Sequence, residues 1–142
     1  MEIRECMITD FERLHYLNTT AFGYEYDLEK TKRKLSLILG RKTDKIYVAC
    51  MDDMVVGYVH GSDYECTYSD SLKNIMAIAV DEQYRGVGVG RALLSGVEDW
   101  AIACNCSGVR LVSGFDRTGA HEFYLRCGYF NRKQQKNFIK LF

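Results

Sequence analysis

The sequence predicts a mixed α/β fold, a mostly antiparallel sheet with a central parallel strand pair, flanked by helices. Three observations predict it. Short β-branched and aromatic runs recur at hairpin spacing in the first half of the chain. A long helical pattern lies between two later runs, and such a strand-helix-strand crossover makes its two strands parallel neighbours. The 142 residues fit one domain, with length enough to bury a core without disulfides or a metal. A single domain over residues 1–142 is therefore expected.

The elements follow in chain order. Ile3 to Met7 reads as the first strand, and Thr9-Asp10-Phe11-Glu12 has the spacing by which two side chains cap a helix start reciprocally. That predicts a helix from Asp10 to Thr19. A second helix is expected from Asp27 or Leu28, with Thr31, Leu35, Ile38 and Leu39 on one face and Gly40 as its stop. The aromatic-rich segment Ala21 to Tyr26 between them has no clear period. Lys45 to Cys50 and Val55 to His60 form a hairpin about Met51-Asp52-Asp53-Met54, and Asn74 to Val80 is a third strand, expected at the sheet's centre. The long helix carries Val89, Leu93, Val97, Trp100, Ala101 and Cys104 at near-3.6 spacing and ends near Gly108. Val109 to Ser113 reads as a strand, Ala120 to Cys127 as a short helix closed by Gly128, and Phe138 to Phe142 as a final strand.

Charge and cysteine usage exclude several classes of function. Nineteen basic and nineteen acidic residues cancel, which removes the excess positive charge that drives phosphate-backbone binding, so no nucleic-acid partner is expected. MEIRECMITD alternates charges where a signal peptide needs an apolar core, and no apolar run reaches membrane-spanning length. A soluble, cytoplasmic protein without a membrane partner is the expectation. The six cysteines show no CxxC pair or zinc-ligand array, which predicts reduced thiols and no metal.

The chemistry is concentrated between the third strand and the long helix. Val80-Asp81-Glu82-Gln83-Tyr84-Arg85-Gly86-Val87-Gly88-Val89-Gly90-Arg91 alternates three glycines just before the helix. Glycines let backbone N–H groups approach a ligand closely, and the unpaired amides of a helix's first turn favour negative charge. The segment reads as a phosphate or pyrophosphate cradle. It lacks the Gly-Lys-Ser/Thr ending of a Walker loop, and the chain is too short for the further βα units of a dinucleotide fold.

At these residues the chain resembles the GNAT superfamily of N-acetyltransferases. Arg85-Gly86-Val87-Gly88-Val89-Gly90 fits the family's Arg/Gln-x-x-Gly-x-Gly/Ala loop, and Ala120-His121-Glu122-Phe123-Tyr124-Leu125-Arg126-Cys127-Gly128-Tyr129 is similar to its A-x-x-F-Y-x-x-x-G-F/Y block. The predicted order of elements extends the resemblance over nearly the whole chain. It implies acetyl-CoA as the acyl donor, with backbone groups of Ile78 and Val80 pairing with the pantetheine arm. It further implies that amides of Arg85, Gly86, Val87, Gly88, Val89, Gly90 and Arg91 hold the pyrophosphate. The arm would enter where the strand ending at Val80 and the strand from Val109 splay apart, often at a bulge.

The same resemblance implies an acetyl transfer by direct attack of a primary amine. Tyr124 would protonate the departing thiolate, and an amide near Ile78 or Ala79 would stabilise the oxyanion. A tyrosine in an F-Y pair is also compatible with a core aromatic. Family members often carry a glutamate on the central strand as base; Asn74-Ile75-Met76-Ala77-Ile78 has none, which leaves Glu25, His60, Asp63 and Glu65 as candidates. Arg117 stands where the family commonly has an asparagine that contacts coenzyme A, and both a coenzyme contact and a solvent-facing role fit it.

The resemblance also implies an acceptor opposite the coenzyme, walled by Phe22 to Tyr26 and Asp63 to Asp70, with Tyr24, Glu25, Tyr64 and Glu65 as contacts. Aromatics mixed with carboxylates suit a cationic, partly apolar amine. Polyamines, aminoglycosides, amino-acid-like amines and protein N-termini all fit, and a catalytically silent acyl-CoA-binding module is the rival from another class. The resemblance is also compatible with a homodimer through sheet edges or C-terminal strands, and the apolar Phe138–Phe142 segment would need such cover.

Overall fold

The computed structural model describes residues 1–142. The elements are β1 (Glu2–Glu5), a 3-10 turn (Ile8–Asp10), α1 (Phe11–Phe22), α2 (Leu28–Leu39), β2 (Asp44–Met51), β3 (Met54–Tyr64), β4 (Leu72–Val80), a 3-10 turn (Glu82–Tyr84), α3 (Val89–Ala103), β5 (Gly108–Leu111) and α4 (Thr118–Arg126). Residues 1–111 and 112–142 form two compact units. The first holds the sheet and α1 to α3; the second holds α4.

The five strands run in the order β1-β2-β3-β4-β5, antiparallel except for the parallel pair β4 and β5. The mixed fold expected from the crossover is the fold observed, with β3 taking the middle position of the sheet. The β2–β3 hairpin turns on Asp52 and Asp53, both at positive φ (52° and 59°). That is the backbone of a two-residue turn whose twist matches its strands, and aspartate tolerates it better than most residues.

Side chains alternate across the sheet and build a core on each face. On one face Ile46, Val48, Val55, Tyr58 and Ala79 pack with Leu14, Leu17 and Leu35 of α1 and α2. On the other, α3 buries Val89, Leu93, Leu94, Val97 and Ala101. The approach of α3 is close: a β-carbon on Gly57 would lie 3.0 Å from the Ala79 carbonyl oxygen and 3.1 Å from side-chain atoms of Leu93 and Val89.

Several boundaries differ from the sequence expectation. The first strand is Glu2–Glu5, and the first helix starts after a 3-10 turn and runs on to Phe22. The Met7 amide donates to Asp10 Oδ2 at 2.8 Å, so Asp10 ties this helix entry, in place of the Thr9 and Glu12 pair. Asp10 is buried and also takes Arg4 Nη1 and Nη2 at 2.9 and 3.0 Å. The long helix stops at Ala103, because the turn at Asn105, at φ 58°, leaves the helical region before Gly108. Phe138 to Phe142 forms no strand: its apolar pattern is right for one, but a strand needs a ladder partner, and these side chains stand exposed. No helix is long and apolar enough to cross a membrane.

Candidate active site

β4 and β5 pair only from Leu72 with Gly108 to Ile75 with Leu111. Beyond Ile75, β4 continues to Val80 with its β5 side unpaired. A bulge marks the divergence, since His60 pairs with Ala77 and Gly61 with Ile75, leaving Met76 without a partner on β3. The Asp81 amide donates to the Val56 carbonyl at 2.7 Å, which fixes the alternation along the antiparallel ladder. Ala77, Ala79 and Asp81 turn their backbone groups toward β3, so Ile78 and Val80 turn theirs to the open edge. Ile78 and Val80 are thus the residues past the bulge whose backbone groups face away from β3. Ala79 is corrected: its N–H and C=O belong to the β3 ladder and its side chain to the core.

The glycine loop leads from that edge to the start of α3. Asp81 begins it, accepting from the Gln83 amide at 3.0 Å and from Arg13 Nη2 at 3.0 Å, while Arg13 Nε donates to the Val55 carbonyl at 2.8 Å. Gly86 and Gly88 take φ of +78° and +94°, which L residues rarely adopt. Gly90 does not; it lies in ordinary helical backbone inside α3. Gly88 is the N-cap of α3, has no side chain to cap with, and no acidic residue occupies the first turn. The first-turn amides of Val89 and Gly90 therefore lack an internal acceptor, as an anion cradle requires. Val87 is exposed, Val89 sends its side chain into the core, and Arg85 Nε reaches back to the Val80 carbonyl at 3.3 Å. Arg91 is exposed on the first turn.

Four residues were expected against the acceptor, and they separate into two places. Tyr24 and Glu25 line a cavity of about 530 Å³ with His15, Asn18 and Tyr26, between α1 and α2. Gly23 at φ +75° ends α1, and His15 Nε2 donates to the Tyr26 carbonyl at 2.8 Å, which pins the loop. The buried Tyr58 hydroxyl donates to Asn18 Oδ1, joining the cavity wall to β3. Tyr64 lies elsewhere, at the end of β3, with the Arg110 guanidinium 4.2 Å above its ring, and Glu65 follows it in an exposed loop.

The four candidate bases also separate. Asp63 is taken by Lys73, whose Nζ lies 2.5 Å from Asp63 Oδ1, and Glu25 and Glu65 are exposed. His60 is 13% exposed by side chain and donates from Nε2 to Asp44 Oδ2 at 2.7 Å. Burial pushes the Asp44 carboxyl up, but hydrogen bonds from Thr43 and His60 outweigh it and hold it below the usual carboxylate range. Asp44 was missed in the sequence. Counting back from the Asp52-Asp53 turn pairs His60 with Lys45 and puts Asp44 on the opposite face; the register shift between Ala49 and Cys50, which moves His60 opposite Ile46 and so diagonal to Asp44, gave no signal in the sequence.

In the second unit Tyr124 is buried on α4 beside Phe123 and Tyr129, with ring centroids 5.4 and 6.1 Å away. Burial raises its phenol above the ordinary tyrosine value against a smaller opposing effect of Arg117, so the hydroxyl keeps its proton at neutral pH. Arg117 is the N-cap of α4, and its carbonyl accepts from His121 N at 3.1 Å.

The sequence profile of the acetyltransferase (GNAT) family matches residues 10–129. An uncharacterized N-acetyltransferase of Methanocaldococcus jannaschii is 33% identical over 138 residues, 94% of this chain and 80% of that protein. Among solved structures, one described as an acetyltransferase of Agrobacterium tumefaciens superposes with a TM-score of 0.88 at 20% identity, over 99% of this chain and 100% of that one. An aminoglycoside N-acetyltransferase in complex with CoA gives 0.87 at 17% identity, over 98% and 93% of the two chains. The two structures share the fold. With an unpaired β4 edge leading into a glycine cradle, and a family match across most of its length, the chain belongs to the acetyltransferase (GNAT) family and is an N-acetyltransferase.

Proposed function

We propose that the protein transfers the acetyl group of acetyl-CoA to a primary amine of a small molecule by direct attack. The observation that carries this reading is the continuity of the β4 edge at Ile78 and Val80 with the amides of Gly86 to Gly90. A peptide-like arm adds to the edge as a strand would, and its diphosphate meets the helix start. The donor found in a fold neighbour, CoA, has both parts. When bound, the coenzyme supplies the activated acyl group.

The chain's own residues supply the rest. Tyr124, kept protonated by burial, donates to the departing sulfur. The Ile78 amide meets the charge that develops on the carbonyl oxygen. His60 takes a proton from the acceptor's ammonium, directly or through water, so that the free amine attacks: with Nε2–H committed to Asp44, the ring presents Nδ1 as its lone-pair nitrogen. Tyr24 and Glu25, in the cavity between α1 and α2, contact the remainder of the acceptor.

The test is thiol release from acetyl-CoA against a panel of polyamines, aminoglycosides, amino acids and peptides. Turnover on at least one small amine is expected. Tight coenzyme binding with no turnover on any of them would favour a silent acyl-CoA-binding module.

A further inference from the structure

Beyond Tyr58, Ile46 and Ala77, the face of the sheet that α1 and α2 cover turns from apolar to polar. Arg110 of β5 stands there, opposite Asn74 in the parallel register and next to the last paired position. Lys73 Nζ lies 3.9 Å from the Trp100 ring on the α3 face, so Asn74 points to the other face, as do His60 and Tyr64 on β3. Arg110 Nη1 donates to Asn74 Oδ1 at 2.6 Å, and its guanidinium carbon lies 4.2 Å from the Tyr64 ring centroid.

This arginine is held but not neutralised. It is half-buried, makes no ion pair, and its Nε is fully buried without an acceptor. A cation drawn out of water costs free energy unless a counter-charge meets it, and structural arginines in such positions usually have one. The Tyr64 ring contact and the Asn74 bond instead fix the fork in place, which is preorganisation for an anion.

Its position says which molecule carries that anion. The diphosphate cradle begins past Val80, and Val80 is six residue steps along the strand from Asn74, about 20 Å at the usual rise. An arm running down β4 from the cradle brings its thioester toward the bulge at Met76, the end where Arg110 stands. The coenzyme's phosphates are at the opposite end. We propose that Arg110 binds an anionic group of the acceptor, a carboxylate close to the reacting amine, so that the acceptor is an amino acid or an amino-acid-like acid. This inference rests on the acetyl-transfer reading above and narrows its acceptor from any primary amine to a carboxylate-bearing one.

The experiment measures thiol release from acetyl-CoA with L-amino acids and with their matching carboxamides, in the parent and in Arg110→Gln. Amidation also lowers the amine's pKa, so the deciding quantity is how the acid-to-amide ratio of kcat/KM changes between the two proteins. A hydrogen-bonded charge pair predicts a fall in that ratio of at least about tenfold in Arg110→Gln, with KM for acetyl-CoA unchanged. Arg110→Lys should recover part of it, since charge returns without the planar fork. An unchanged ratio, or a parent that turns over amides and rejects every acid, would overturn the inference while leaving the enzyme reading intact. A raised KM for acetyl-CoA with the ratio preserved would assign Arg110 to the coenzyme and overturn it too. If Arg110→Gln fails to fold, the parent decides alone: amino acids must be turned over. No thiol release with any amine would defeat the acetyl-transfer reading, and this inference with it.

Discussion

His60 on β3 and Asp44 on β2 are joined by a 2.7 Å hydrogen bond on the face of the sheet shared with Arg110, both largely shielded from water. The bond fixes which ring nitrogen can accept a proton. His60→Gln is expected to lower kcat by about 10²- to 10⁴-fold, the range for a lost general base, with little change in acetyl-CoA affinity. Asp44→Asn keeps the shape but weakens the orienting bond, and a loss of about 10- to 100-fold is expected by analogy with groups that orient a ligand or base. Steady-state kinetics with a saturating acceptor checks both; variants with parental kcat would remove His60 from the reaction.

The closeness of α3 to β3 makes Gly57 a sensitive position. Added methyl atoms would press on the Ala79 carbonyl, Leu93 and Val89, the last being the first residue of α3. Gly57→Ala should therefore destabilise the fold by about 1–3 kcal/mol, the usual cost of overpacking. Urea unfolding measures it. Because the helix start carries the cradle amides, acetyl-CoA affinity should fall in the same variant.

Tyr124→Phe is expected to keep the ring packing against Phe123 and Tyr129 while removing the proton donor. Loss on the order of a hundredfold in kcat with a nearly constant acetyl-CoA dissociation constant is the predicted signature. Equal losses in both would indicate a binding role.

Two carboxylates held low by their hydrogen-bond partners, Asp10 and Asp44, set the acid limit of stability. Burial pushes the Asp10 carboxyl up, but Arg4 and the Met7 amide outweigh it and hold it low; Asp44 is held low by Thr43 and His60. A carboxyl whose folded pKa is depressed stabilises the fold above its unfolded pKa, about 4, and loses that contribution as pH falls through the folded value. Thermal unfolding followed from pH 5 downward should show Tm dropping below about pH 4, with a shallower drop in Asp10→Asn, which starts from a lower Tm. The neighbouring Cys6 thiol is pushed up to about 12, chiefly by burial, and contributes nothing in that window.

How much of this was legible in the sequence depended on whether the cause was local. The glycine loop, the helix behind it and the hairpin turn are written in consecutive residues, and Gly86 and Gly88 stand at positive φ, which glycine adopts freely. The phase of the β4 ladder is not local: it is set by the Asp81 to Val56 bond, and so Ala79 was assigned to the wrong side. Arg110 was invisible for the same reason, since only the β4–β5 register brings it to Asn74 and Tyr64. Phe138–Phe142 shows the converse, an apolar pattern sufficient for a strand in a segment that has no partner.

The central claim is that the loop from Gly86 to Gly90 holds the coenzyme, and titration calorimetry with acetyl-CoA on the parent and Gly88→Val tests it most directly. Nothing in the chain lies within 4 Å of a β-carbon at Gly88, so the variant has room to fold. Its cost is the backbone at φ +94°, which a β-branched residue resists, so the cradle amides must turn away. One-to-one binding by the parent and an affinity at least about tenfold weaker in a folded Gly88→Val protein is the predicted result. Unchanged affinity in that folded variant would contradict the account.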